Sequence, residues 1–255
     1  EKKKLSEMSF LEHLEELRWL LVRSTIAIII MAIFTYFISD YLFDTIIFGP
    51  TRPTFFTYRF CCDLSHQLGF ADSICITEMP FIIQNTEMEG QVNVFVWICI
   101  LAGFILSFPY ILWQIWNFIS PALYTKEKKN AKVFIFFSSL LFFLGVLFGY
   151  FIVIPMSVNF VATFTVSNVV KNQFTFDSYI GMVKTSVLAS GIFFELPIII
   201  YFLTKLGLVT PKFLRKYWKY AVVIILIIAA IVTPPDVVSQ TIVAIPMLII
   251  YEVSI

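Results

Sequence analysis

Residues 9–23 read SFLEHLEELRWLLVR, and from Trp19 they merge into an apolar run that ends at Ile38. Ser9 and Glu12 have capping-box spacing, so a helix is predicted to begin here. Phe10, Leu14, Leu17 and Leu21 fall on one stripe of it, while Glu12, Glu15 and Glu16 crowd another side. Glu12 and Glu16 repel slightly at i,i+4. An acidic cluster that costs its own helix a little is a candidate for meeting a cation. The apolar run behind it makes this helix the lead-in to a membrane span.

The whole chain supports that reading. Of 255 residues, 59% are hydrophobic and only 14% charged, the composition of a polytopic membrane protein. Six apolar segments stand out: Trp19–Ile38, Val92–Trp116, Val133–Ile154, Tyr179–Leu203, Tyr217–Val232 and Val237–Ile250. A hydrocarbon core of ~30 Å needs about 20 helical residues at ~1.5 Å each. The first four meet that length. The last two, separated by Thr233-Pro234-Pro235-Asp236, fall short and predict a locally thinned bilayer or association with other helices.

Basic residues set the orientation. Lys2, Lys3, Lys4, Arg18 and Arg23 precede or open segment one, and Lys126, Lys128, Lys129 and Lys132 lie between two and three. Lys205, Lys212, Arg215, Lys216 and Lys219 lie between four and five, whereas the other side holds only Arg52, Arg59, Lys171 and Lys184. The positive-inside rule therefore predicts six transmembrane helices with both termini in the cytoplasm. Trp19, Trp113, Trp116 and Trp218 fall at the expected cytoplasmic boundaries as an aromatic belt. The expectation is an all-α membrane protein, residues 1–255 forming a single integral membrane domain with residues 39–91 as an extracytoplasmic cap carrying short helices. Cys61, Cys62 and Cys75 share that cap; a bridge from Cys75 to Cys61 or Cys62 and unpaired thiols both fit the sequence. No cleavable signal-peptide pattern precedes the first run, and Glu1 reads as a trimmed start.

Within the spans, Gly145 and Gly149 have small-xxx-small spacing for close helix approach, and Pro109 and Pro197 predict kinks. Glu195 lies deep in segment four, where charge is expensive and an acid is a functional candidate by default. Lys184, Leu188, Gly191 and Glu195 share one helical face, with Gly191 expected to leave space beside the carboxyl. Thr233, Asp236, Ser239 and Gln240 form a second polar cluster. Gln240 suits a hydrogen bond across to another helix, and Asp236 suits either a helix N-cap or a site. Glu127 is the one acid among four lysines in the loop Phe118–Lys132; with a glutamate of the lead-in helix it offers a pair of carboxylates on one membrane face for guanidinium groups.

Several enzyme classes lack their parts. His13 and His66 both fall outside the spans, no HExxH or P-loop occurs, and no two Asp residues lie mid-span. No catalytic residue, cofactor, metal or nucleic-acid partner is expected.

His13-Leu14-Glu15-Glu16-Leu17-Arg18, Phe118 with Pro121-Ala122-Leu123-Tyr124 and Glu127, Phe194-Glu195-Leu196-Pro197, and Thr233-Pro234-Pro235-Asp236 with Ser239-Gln240 and Ala244-Ile245-Pro246 appear in this order. Together they resemble the TatC family, the multispanning receptor subunit of the twin-arginine protein translocase, across nearly the whole chain. The resemblance implies recognition of twin-arginine signal peptides of folded cargo at the cytoplasmic face of a bacterial inner membrane. It implies TatA- and TatB-type single-span partners, a proton gradient as energy source, and a homo-oligomer within a multisubunit complex. Glu16 and Glu127 would hold the arginine pair, with Glu15 as a second acid beside the motif and Phe118 and Arg18 shaping the pocket. Glu195 and Gln240, with Thr233 and Asp236, would meet partner helices in the membrane. Pro50, Pro121, Pro197, Pro234 and Pro235 would be structural. The competing class is a proton-coupled secondary transporter using Glu195.

Overall fold

The computed structural model of the chain describes residues 10–67, 75, 79, 81–119, 131–167, 172–205, 207, 209–233 and 237–254. Ser9, Pro121, Glu127, Pro234, Pro235 and Asp236 lie outside the described residues. In chain order the main elements are α1 (Phe10–Phe37), α2 (Phe56–Gln67), β1 (Ile82–Gln84), α3 (Gly90–Ile119), α4 (Ala131–Phe148), α5 (Ile154–Thr163), β2 (Gln173–Thr175), α6 (Phe176–Phe194), α7 (Leu196–Lys205), α8 (Pro211–Lys216), α9 (Trp218–Val232) and α10 (Val237–Val253). Among the described residues four stretches are long and apolar enough to cross a membrane, 13–37, 90–119, 132–163 and 176–204, while 218–232 and 239–253 are shorter apolar helices. The lead-in and the first apolar run form one continuous helix, because nothing between Phe10 and Phe37 breaks the backbone ladder.

The chain divides into two compact units, residues 1–39 with 95–140, and residues 40–94 with 141–255. In the first, α1 and α3 approach so closely that a Cβ on Gly103 would lie 2.7 Å from the Ala32 nitrogen. The Thr35 hydroxyl lies 2.8 Å from the Ala32 carbonyl and 3.1 Å from the Cys99 carbonyl across the helix pair. α3 runs on through Pro109. Along α1, Ile26, Ile29, Ile30 and Ile33 stay exposed, the surface a bilayer-facing helix presents.

The second unit has its core where α6, α7, α9 and α10 meet, around Phe193, Ile200, Ala229, Val243 and Met247. α4 passes through a π-helical turn, Gly149–Val153, into α5. The cause is Pro155: without an N–H it cannot donate to the Phe151 carbonyl one turn back. That carbonyl instead accepts from the Thr57 hydroxyl at the start of α2. The third span therefore extends to Thr163, well past the expected Ile154. The small-residue pair does what its spacing predicts. A Cβ on Gly145 would lie 2.5 Å from the Ser190 carbonyl oxygen, and one on Gly149 2.8 Å from that of Ser186. A Cβ on Gly191 would lie 2.9 Å from the Phe142 ring and 3.2 Å from Val146, so these side chains pack directly over it.

The cap carries α2 and a three-residue parallel pairing of β1 with β2, Ile82 opposite Gln173, which hydropathy alone did not suggest. Pro50 is buried in a 3₁₀ turn, Gly49–Thr51. The buried Tyr58 hydroxyl lies 2.9 Å from the Pro50 carbonyl and 3.0 Å from that of Pro155, and burial pushes its pKa above the usual tyrosine value. Tyr150 and Tyr179 donate to the Ile46 and Ile47 carbonyls, which a second π-helical turn, Leu42–Ile47, leaves available. Of the two pairings open to Cys75, the structure has the disulfide to Cys62, and Cys61 and Cys99 are free thiols. Closing a loop of 13 residues restricts the unfolded chain by about 3 kcal/mol in the chain-entropy account.

Candidate functional site

The lead-in turn of α1 meets the last turn of α3. The His13 and Phe118 rings stack with centroids 4.4 Å apart and planes 23° from parallel. Phe118 is half-buried, while His13, Glu15, Glu16 and Arg18 are all exposed. Helical geometry sorts the acids. At 3.6 residues per turn, Glu16 lies about 60° around the axis from His13 and Glu15 about 160°. Glu16 is therefore on the Phe118 side of α1, and Glu15 and Arg18 are turned away from it. Neither glutamate forms an ion pair with a described residue, and both are exposed. His13 is the member that motif reading left without a part. Its signal was the i,i+3 spacing to Glu16.

The second set of candidates sits in the other unit. Glu195 is 7% exposed and occupies the break between α6 and α7 with φ −79° and ψ −11°. Pro197 causes the break, since it cannot donate to the Phe193 carbonyl. The Glu195 N–H turns back to Ile192, and its carbonyl accepts from both Ile198 and Ile199. Flanking Phe193 and Leu196 pack into the apolar core. Gln240, on α10, donates from Nε2 to the Leu226 carbonyl of α9 at 3.1 Å. Thr233 is buried at the end of α9 and turns its hydroxyl back onto the Ala229 carbonyl, 2.8 Å away, which gives it a capping task within its own helix.

The family pattern described as Sec-independent protein translocase protein (TatC) matches residues 12–246. The chain belongs to the TatC family. The TatC of Blattabacterium sp. subsp. Periplaneta americana (strain BPLAN) is 44% identical over 259 residues, covering 100% of this chain and 96% of that protein. That of Aquifex aeolicus (strain VF5) is 36% identical over 249 residues, covering 97% and 93%. A crystal structure of the twin arginine translocase receptor TatC in DDM superposes with a TM-score of 0.75 at 34% identity, over 95% of this chain and 97% of that one. This TatC-family chain is accordingly a multi-pass membrane protein and a component of a protein translocase, not an enzyme.

Proposed function

We propose that residues 1–255 form one integral membrane domain of six transmembrane helices, N-in and C-in, that binds twin-arginine signal peptides of folded cargo at the cytoplasmic face of a bacterial inner membrane. Four long apolar helices, two short ones and the segregated lysines and arginines support the topology. One observation carries the site: the His13–Phe118 stack holds the Glu16 face of α1 against the helix end from which the chain leads to Glu127, nine positions after Phe118. Glu16 and Glu127 receive the two guanidinium groups as bidentate forks, which lysines reproduce poorly. Phe118 supplies an apolar wall and His13 fixes it, while Arg18, like Glu15, is turned to the other side of α1. Glu15 points elsewhere and is not the ligand.

Within the membrane, Glu195 and Gln240, with Thr233 and Asp236 near the α9–α10 junction, form the polar positions at which TatA- and TatB-type single-span partners dock. The chain works as one of several copies in a complex driven by the proton gradient. The burial of Glu195 also favours a second reading, proton-coupled transport by this chain alone, which predicts substrate flux across vesicles holding only the purified protein.

The site is tested with a twin-arginine peptide carrying a photo-crosslinker beside the arginine pair. Glu16→Lys and Glu127→Lys are each expected to abolish crosslinking while membrane insertion stays normal; unchanged crosslinking in both variants would sink the assignment.

A further inference from the structure

The cap holds a cluster that peptide recognition does not use. Cys62 and His66 are four residues apart on α2 and share one helical face. Cys75 returns to that face through its bond to Cys62. His66 Nε2 lies 3.8 Å from Cys62 Sγ and 3.5 Å from Cys75 Sγ. A staple needs two sulfurs at the right spacing and nothing more. An imidazole nitrogen held against both is the arrangement of three metal ligands, and the three donor atoms lie within 4.8 Å of one another.

We propose that Cys62, His66 and Cys75 form a redox-gated zinc site: a disulfide when oxidised, a three-ligand Zn²⁺ site when a dithiol reductant opens it. One thiolate of the reductant attacks a cystine sulfur, the Cys62–Cys75 bond breaks, and a mixed disulfide forms; its second thiol resolves that intermediate. Two electrons and two protons pass to the protein, giving two thiols, and the reductant leaves as a disulfide. Zn²⁺ then displaces the two thiol protons and binds both thiolates and neutral Nε2.

The geometry fits. Tetrahedral zinc with Zn–S of ~2.3 Å and Zn–N of ~2.0 Å places sulfur and nitrogen about 3.5 Å apart and two sulfurs about 3.8 Å apart, so the Cys75–His66 distance of 3.5 Å matches and the Cys62–His66 distance of 3.8 Å needs to shorten by only ~0.3 Å. The sulfurs must separate, by side-chain rotation. His66 is exposed, so solvent fills the fourth position. Cys61 is adjacent in sequence but about 100° around the helix, so it stays outside the site. The inference is independent of the signal-peptide reading.

The test uses the full chain purified in detergent. Reduced by a phosphine that is then removed, it is titrated anaerobically with Zn²⁺ against a chromophoric chelator, and in parallel with Co²⁺ to follow sulfur-to-cobalt absorption. One equivalent of Zn²⁺ is expected per reduced chain and none per oxidised chain, which should show two titratable thiols. Cys62→Ser and Cys75→Ser should each weaken binding at least a hundredfold and diminish the cobalt band. His66→Asn should weaken it about tenfold to a hundredfold, and Cys61→Ser should bind as wild type. The oxidised and reduced forms of one polypeptide make the central comparison, so it does not depend on any variant folding. Four free thiols in the oxidised chain, no zinc uptake on reduction, wild-type affinity in His66→Asn, or loss of the site in Cys61→Ser would each overturn the proposal.

Discussion

Glu16 and Glu195 are the same residue in opposite surroundings. Glu16 stands exposed on a helix face beside a stacked ring pair, where its carboxylate keeps its water until a cation displaces it. Glu195 is buried at a helix break whose backbone groups are already satisfied by its neighbours. An exposed acid that pairs with no described residue is a candidate for a ligand from outside. A buried acid is committed to its own fold, or to a partner that enters the membrane with it. The sharpest way to break this contrast is peptide affinity. Glu16→Lys is expected to weaken binding of a labelled twin-arginine peptide at least a hundredfold by fluorescence anisotropy, because it removes a charge-assisted fork and adds repulsion. Glu15→Lys, on the far side of α1, should cost less than about fivefold, and Glu195→Gln less than about threefold. Equal losses at positions 15 and 16 would erase the helical-face argument.

The next effect is smaller in function but large in stability. Gly145 faces backbone, since its missing Cβ would lie 2.5 Å from the Ser190 carbonyl oxygen and 2.9 Å from Gly191 Cα. Neither atom can move without shifting α6 and with it the approach to Glu195. Gly145→Val is expected to destabilise the protein by about 3 kcal/mol, lowering the apparent Tm in detergent by ~10 °C. Gly181 lies on the same helix with nothing within 4 Å of its would-be Cβ. Gly181→Ala should leave Tm unchanged or raise it slightly through better helix propensity, by about 0.5 to 1 kcal/mol. A matching drop in both variants would show that close approach does not distinguish these glycines, since helix propensity favours both replacements.

How much of this was legible beforehand follows the same division. Membrane spans declare themselves through hydropathy, and the acids of α1 through their spacing, because both signals are local. The Gly145–Gly149 approach was also legible, since three intervening residues place both on one face. The continuation of the third span to Thr163 was not, because Pro155 reads as a terminator until Thr57, 94 positions before Phe151 along the chain, supplies the Phe151 carbonyl with the hydrogen bond that the proline ring removes. What lies over Gly191 was not legible either. A missing side chain marks space, but only packing says that Phe142 fills it. The resemblance favoured Glu16 with Glu15 as a second acid beside it, and the His13–Phe118 stack adds that the two lie on different sides of α1 relative to Phe118.

The smallest of these effects belongs to the cap. Tyr58 offers one hydroxyl proton to two buried carbonyls, Pro50 on the 3₁₀ turn and Pro155 on α5, and so ties the cap to the helix below it. Tyr58→Phe leaves both acceptors without that donor and should cost about 1 to 2 kcal/mol, or ~5 °C in apparent Tm, by the usual penalty for a buried polar group left unpaired. The hydroxyl must stay protonated to donate, and burial raises its pKa above the ordinary tyrosine value of about 10. Its contribution is therefore fully present below about pH 10 and is lost as pH rises above that value, where the unfolded chain ionises first. Wild type and Tyr58→Phe should accordingly differ in Tm by a constant amount from pH 6 to 9 and converge as the pH is raised past 10. A difference that persists undiminished at pH 11 would show that the stability supplied by the hydroxyl is not linked to its ionisation, and would overturn the titration argument.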